Sequence, residues 1–472
     1  MTPGNTVPGH ARCLASRMAL AVALALPALT GCMPAWRDAP ALSQVVPPST
    51  WRETVPAAAT LETQWWLQFG DSVLSTLVEA ALRRNTDVLV AAARVDEARA
   101  LVAQADALRW PALDATVGAQ AQHTLGTTGM TTLRSVQPEL QLSWEIDLWG
   151  RLRQQTEAAG LRYQATQVEH DAVALGVAAT TVQTYIGLLA LDAQLQVAQA
   201  TVASRTAALQ LAAEQARVGY TSQLQLTQAQ SELQAVEQTV PQLELAIRRQ
   251  ENALHLLAGE LPGEITRGQG FGALVLPPVP NVLPSALLER RPDIVQRALL
   301  LAASDANLAA RRAAFLPQVA ISASVGRLFI NALNYDPVSV WSVGGSILAP
   351  LFSAGRLTAG YDAASAQRDQ AAYAYRGVVL NAFSEVENAL LGVTRIHAQL
   401  DHAQKRSAIL MRSLSFARDR YQAGYASYLE ELDAQRNLYQ VELDVIRLKQ
   451  AEFENYIALC RALGGGWQRA RV

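Results

Sequence analysis

Cysteine is almost missing from this chain: 472 residues hold three, Cys13, Cys32 and Cys460. No disulfide framework can be built from them. Cys460 sits in Ile457-Ala458-Leu459-Cys460 with no histidine nearby, the setting of a packed small hydrophobe rather than a nucleophile. Lysine is rarer still, at Lys405 and Lys449 only, and no basic patch interleaves with aromatics on a chain of formal charge −2. Nucleic acid is therefore excluded as a partner. A glycine-rich phosphate loop, a nucleophile elbow and a zinc motif are all absent. His397 and His402 are five apart, off a shared helical face, and make a poor metal pair. These absences point to no enzyme, no cofactor and no metal.

The N-terminus is where charge is scarcest. Only Arg12 and Arg17 are charged among residues 1–31, and they precede an uncharged run from Met18 to Leu29. A basic start followed by an apolar stretch of this length reads as a signal peptide. Leu29-Thr30-Gly31-Cys32 has the form of a bacterial lipobox, which makes Cys32 the acylated first residue of the mature chain. Met33 rather than an aspartate follows it, which in lipoproteins favours sorting to the outer membrane. Several acyl chains anchor stably where one does not. Residues 33–60 are rich in Pro, Ala and Ser without periodicity, as in an extended tether. Order is expected from Trp65-Trp66 and Phe69, with Asp71 capping the helix that follows.

What is abundant is repetition. Asp293 and Pro317 stand 206 residues after Asp87 and Pro111; Gly355-Arg356, Gly424-Tyr425 and Gly464 stand 205 after Gly150-Arg151, Gly219-Tyr220 and Gly259. Spacing this steady means duplication. Each copy has a helical run ending near proline, two segments of alternating hydrophobicity, a long helix, a Gly-Tyr turn and a returning helix.

In the first copy Leu113, Ala115, Val117, Ala119 and Ala121 alternate with Asp114, Thr116, Gly118, Gln120 and Gln122. After a Gly/Thr-rich loop, Leu140 to Leu148 alternates likewise. Val319 to Gly326 and Trp341 to Ile347 repeat the pattern. A period of two means strands, and each is near the length of a tilted membrane strand. A soluble hairpin with one face on a core fits the same pattern. Four strands are too few to close a barrel, so a pore needs several copies of the chain.

No proline interrupts Arg151 to about Ala216, and a match runs from Arg356 to Ala423. Such helices would be about 100 Å long. Pro241 should kink the first return helix, where the second has Ile446. The uncharged stretch 172–191 has the length of a membrane span, but its duplicate contains Glu385, Glu387 and Arg395, which argues for burial among helices instead.

Five stretches, in order, carry a resemblance: Trp65-Trp66 with Phe69 and Asp71; Trp144 to Arg151; Arg290-Arg291-Pro292-Asp293-Ile294; Pro350 to Leu357; and Tyr421 to Gln435. With the duplication they make the chain similar to the outer-membrane efflux proteins of the TolC and NodT type, lipoprotein ducts of tripartite pumps. The resemblance implies a mainly α protein with a membrane β-barrel. It is a duplicated barrel and α-helical-tunnel protomer of four strands, closed as a homotrimer of twelve. It implies a periplasmic adaptor and an RND-type inner-membrane pump as partners, in contact with outer-membrane lipid. The expected order is a signal peptide at 1–31, a lipidated tether at 32–60, a first repeat at 61–262, a linker at 263–289, a second repeat at 290–466 and an end at 467–472.

Gly219, Tyr220, Thr221 and Ser222, with Gly424, Tyr425, Ala426 and Ser427, form helix-to-helix turns. The resemblance implies that they meet the adaptor, although any helical hairpin needs such a turn. Glu430 and Asp433 are three apart on one helical face. The resemblance makes them a periplasmic gate, six carboxylates in a trimer; acidic groups near a helix N-terminus are also favourable on their own account. The first copy has Gln225 and Gln228 there, and Ala426 stands where some family members carry a charged latch. The reading is a passive outer-membrane exit duct for small molecules. The alternative is a lipid-anchored coiled-coil adaptor or scaffold without a pore.

Overall fold

A computed structural model describes residues 33–53, 61–126, 129–280 and 283–468. Cys32, the expected lipid site, lies outside them, as do 54–60 of the tether. The elements are α1 (Ser72–Arg84), α2 (Thr86–Ala107), β1 (Ala112–Gly126), β2 (Gly129–Ile146), α3 (Arg151–Arg217), α4 (Gln223–Glu237) and α5 (Thr239–Leu257). They continue with α6 (Leu287–Arg290), α7 (Pro292–Ala313), β3 (Gln318–Ile330), β4 (Val338–Leu348), α8 (Arg356–Gln422) and α9 (Tyr428–Ala462). The fold is mostly helical with one small antiparallel sheet. The chain divides into two compact units, one of residues 1–44, 95–165 and 297–376, the other of 45–94, 166–296 and 377–472.

The first unit carries the sheet, a meander in the order β1-β2-β3-β4. Its register merges the separate alternations into two continuous faces. Leu113 lies opposite Leu142, Leu142 opposite Ala323 and Ala323 opposite Val343, while on the other face Gln141 meets Ser324 and Ser324 meets Ser342. No described side chain of the four strands is buried, and 112–125 of β1 are exposed throughout. Trp341 is 77% exposed on the apolar face. A soluble sheet would bury one face on a core, and this sheet buries neither. The strands also run further than alternation suggested. The Gly/Thr-rich stretch taken as a loop is strand up to Gly126 and again from Gly129, while β2 stops at Ile146, short of Leu148. Threonines extend a ladder as well as apolar residues do, so the apolar pattern fades before the pairing does.

Residues 33–53 are not a free tether. In the first unit Arg312 Nε donates to the Pro34 carbonyl (3.0 Å), Tyr361 to that of Ala35 (2.7 Å) and Arg368 to that of Asp38 (2.8 Å). Arg37 pairs with Asp362 at 3.0 Å. In the second unit the Arg52 amide donates to Glu387 and Trp51 packs on Phe383. Most of these bonds take main-chain groups of the strap, which carry no sequence pattern, so composition alone reads as an unattached segment.

The core of the second unit gathers Trp65, Phe69 and Leu74, then Val182, Tyr185, Ile186 and Leu189 of α3, Leu254 of α5, and Phe453, Tyr456 and Cys460 of α9. The uncharged part of α3 is thus buried in protein. Burial pushes the Cys460 thiol up to about 12, which leaves it inert. Asp71 caps α1 through the Val73 and Leu74 amides at 2.8 and 3.1 Å. Its other oxygen accepts from Tyr185 Oη (3.1 Å) and the Gln269 amide (2.9 Å), fastening the linker.

The duplication is visible in the joints. Asn85 donates to the Leu257 carbonyl at 3.0 Å, and 206 positions on Arg291 donates to that of Ala462 at 3.2 Å. Gly259 and Gly464, both with positive φ, press their α-carbons toward the carbonyls of Arg84 and Arg290, so that neither site has room for a Cβ. Helices α3 and α8 are 67 residues each. Pro241 does more than kink its helix: without an N–H to continue the ladder, the return helix breaks at Gln238 into α4 and α5, whereas α9 runs unbroken for 35 residues.

Candidate functional site at the helical tips

Both long helices end, within the second unit, in the same backbone device. At the end of α3, Gly219 takes φ +80° and the Tyr220 amide reaches back to the Gln215 carbonyl at 2.9 Å. At the end of α8, Gly424 takes φ +76° and the Tyr425 amide bonds the Arg420 carbonyl at 2.9 Å. A left-handed residue closed by a six-to-one bond satisfies the last helical carbonyls and turns the chain sharply. Tyr220 and Tyr425 are left 87% and 81% exposed. Ser222 Oγ then caps α4 through the Gln225 amide at 3.3 Å, while Ser427 starts α9 through its carbonyl alone. Thr221 Oγ1 is buried without a partner, and Ala426 is half-buried.

The two tips are packed together. Tyr421 stacks at 5.6 Å on Tyr428 and donates to Gln215 at 2.7 Å, over a small cluster with Ala212, Ala229 and Leu432. One turn into α9, Glu430 and Asp433 are exposed, each beside an arginine of its own protomer: Arg420 lies 3.6 Å from Glu430 and Arg436 3.5 Å from Asp433. Their neighbour Glu431 turns inward, 5% exposed, and accepts from Gln435 Nε2 at 3.0 Å. Sequence spacing pairs Glu430 with Asp433 and says nothing of this inward carboxylate.

Sequence reading also missed a charge cluster behind these two carboxylates. Arg205 of α3, 4% exposed, meets Glu232 of α4 at 2.8 Å, and Arg436 of α9 meets Glu232 from the other side. Hydrogen bonding from Arg436, helped by Arg205, holds the Glu232 carboxyl below the usual range. Burial pushes the Arg205 guanidinium below its ordinary value as well, which Glu232 opposes. The available signal was asymmetry: Leu410 and Asn437 stand where the duplication would repeat Arg205 and Glu232. Above this cluster a cleft of about 670 Å³ is lined by Ser204, Tyr439, Glu442 and Lys449 among others. Burial raises the pKa of Glu442 and lowers that of Lys449, whose ammonium donates to the carbonyls of Phe271 and Gly272 at 3.1 Å.

Among the described residues no group of three or more His, Cys, Asp or Glu could hold a metal ion. His397 bonds Glu452 at 2.7 Å instead.

Residues 77–260 and 283–465 match the family described as outer membrane efflux protein. The chain belongs to that family. This efflux protein is 32% identical over 442 residues to the pyoverdine export outer membrane protein OpmQ of Pseudomonas putida, covering 90% of this chain and 93% of OpmQ. It is 32% identical over 409 residues to the cation efflux system protein CusC of Escherichia coli O6:H1, covering 86% and 88%. The outer-membrane channel OprN superposes with a TM-score of 0.84 at 27% identity, over 92% of this chain and 99% of that one. The efflux protein is thus an outer-membrane protein that extends into the periplasm, with efflux channels as relatives.

Proposed function

We propose that this efflux protein is the passive exit duct of a tripartite pump, assembled as a homotrimer. The observation that carries the reading is the sheet with two exposed faces, one apolar and one polar, whose outer strands β1 and β4 each leave one edge unpaired among the described residues. Unpaired strand edges seek pairing, and an apolar face opposite a polar one suits lipid outside and water inside. Three four-stranded sheets would close into twelve strands. The scaffold reading needs a core for one face of the sheet, which this geometry does not supply.

In this reading residues 61–262 and 290–466 are the two efflux repeats and 263–289 belongs to an equatorial region. Cys32 carries the lipid anchor, and the turns at 219–222 and 424–427 dock a periplasmic adaptor. Glu430 and Asp433 gather into an acidic gate at the trimer axis. No catalytic group is needed, because an inner-membrane pump, of RND type, supplies the energy. The cargo is a small molecule, such as a drug or toxic compound. OpmQ is named for pyoverdine and CusC for cations, and such different cargoes support selectivity in the pump rather than the duct.

Single-channel conductance in planar bilayers tests this, with Glu430→Ala/Asp433→Ala beside the lipidated wild type. A small cation-selective conductance that grows and loses selectivity in the variant is expected. Failure of verified, folded protein to insert at all would refute the duct.

A further inference from the structure

We propose that the cleft between α3, α8 and α9 in the second unit binds a monovalent organic amine with an apolar body, its ammonium paired with Glu442. The duplication singles this carboxylate out. In the first copy Glu237 is exposed and accepts from Gln234 Nε2 at 2.6 Å. The second copy keeps the carboxylate 205 positions on, as Glu442, but has Tyr439 where Gln234 would recur. Glu442 is half-buried, and among the described residues it forms no hydrogen bond and no ion pair. Burial alone raises its pKa, with no nearby cation to oppose the rise.

At about 670 Å³ the cleft falls within the roughly 300–1,000 Å³ of small-molecule sites. Val197 and Ala200 of α3 and Leu438, Val445 and Ile446 of α9 give it apolar walls. Its polar lining is short of donors. Gln435, 6% exposed, and Tyr439 share the cleft with Glu442, and Gln435 Oε1 and Tyr439 Oη are buried without a partner. Positions 435, 439 and 442 follow at i, i+4 and i+7, so they lie on one face of α9. A carboxylate drawn out of water without a partner costs free energy, which an ammonium offsets through charge-assisted N–H bonds.

The two cations that line the cleft are already engaged. Lys449 donates to the carbonyls of Phe271 and Gly272 at 3.1 Å and lies over the rings of Phe271 and Phe453. It stands seven residues beyond Glu442, about 10 Å along α9. Toward the tips, Arg205 is held by Glu232 at 2.8 Å. With a positive group on either side of Glu442, a second charge on the ligand would meet repulsion, so the cleft favours one ammonium and an aliphatic remainder. The inference rests on the packing of the second unit and on neither the barrel, the gate nor the adaptor.

The test is isothermal titration calorimetry of the full-length lipidated protein in detergent, with hexylamine as the probe and 1-hexanol and 1,6-diaminohexane as controls. Hexylamine should bind saturably, and both controls should bind more weakly. Glu442→Gln, a neutral isostere, should lower hexylamine affinity about tenfold, while Glu442→Asp should retain most of it. Tyr439→Gln gives the carboxylate the amide neighbour of the first copy and should weaken hexylamine in the same direction, which keeps the test decisive if Glu442→Gln fails to fold. Equal hexylamine binding by wild type and Glu442→Gln would overturn the site, and tighter binding of the diamine would overturn the assignment to a single charge. If a cation of a second copy fills the cleft instead, no hexylamine binds and Glu442→Gln weakens the oligomer, which also overturns it. Channel conductance is not read, so failure here and failure of the duct reading are distinguishable.

Discussion

Arg205 donates through one nitrogen to both the main-chain carbonyl and the carboxylate of Glu232, at 2.6 and 2.8 Å. The bond ties α3 to α4, and Arg436 extends it to α9. Because Arg205 is buried, its charge depends on Glu232. Glu232→Leu alone should therefore cost about 3 kcal/mol, whereas Arg205→Met/Glu232→Leu together should come out closer to neutral. Denaturant unfolding of the two variants decides it, and equal costs would show the pair to be uncoupled.

Acid should loosen the same joint. A carboxylate whose folded pKa is depressed adds stability above its ordinary value, and that stability is lost as pH falls through the depressed one. For Glu232 the window opens below 4.5 and extends downward. Hydrogen exchange in α4 and at the start of α9 should stay slow at neutral pH and quicken only in that acid range. In Glu232→Gln this acid-dependent step should be absent.

Alkali should attack a different place. Burial, above all, raises the Tyr185 phenol to about 12, and its proton is the one donated to Asp71. A raised pKa means stability intact below the ordinary value of 10 and lost as pH climbs through the folded one. Stability should fall between pH 10 and about 12. Tyr185→Phe, which leaves Asp71 and the Gly268 amide short of a partner, should cost about 1–3 kcal/mol at neutral pH. Thermal melts across pH would read both effects.

Four landmark glycines should divide into two classes. At Gly219 and Gly424 an added Cβ meets nothing within 4 Å, so alanine brings only left-handed strain, about 1–2 kcal/mol. At Gly259 and Gly464 the same Cβ runs into the carbonyls of Arg84 and Arg290. Gly259→Ala and Gly464→Ala should therefore reduce the yield of folded protein sharply, while the tip variants fold. Comparable yields from all four would mean that these joints yield to a methyl group.

The sequence by itself determined whatever depends on local backbone chemistry or spacing along the chain. The glycines at 219, 259, 424 and 464 could be read because only glycine takes their left-handed turns cheaply. The strands followed from a period of two and the long helices from the absence of proline. A constant offset near 205 made the duplication plain.

Tertiary structure alone decided what depends on pairing between distant segments. Register put Leu113, Leu142, Ala323 and Val343 on one face and left both faces of the sheet open. Arg312, Tyr361 and Arg368 turned an unpatterned segment into a strap by binding its carbonyls, which are identical in every residue. Glu431 and Glu430 are adjacent and chemically alike, yet one is buried and the other exposed, because a helix turns about 100° between them. Arg205 found Glu232 across a hairpin, and Ala200 and Glu442 share a cleft although far apart in sequence. Charge, burial and hydrogen bonding act through space, so they become definite only once the chain has folded.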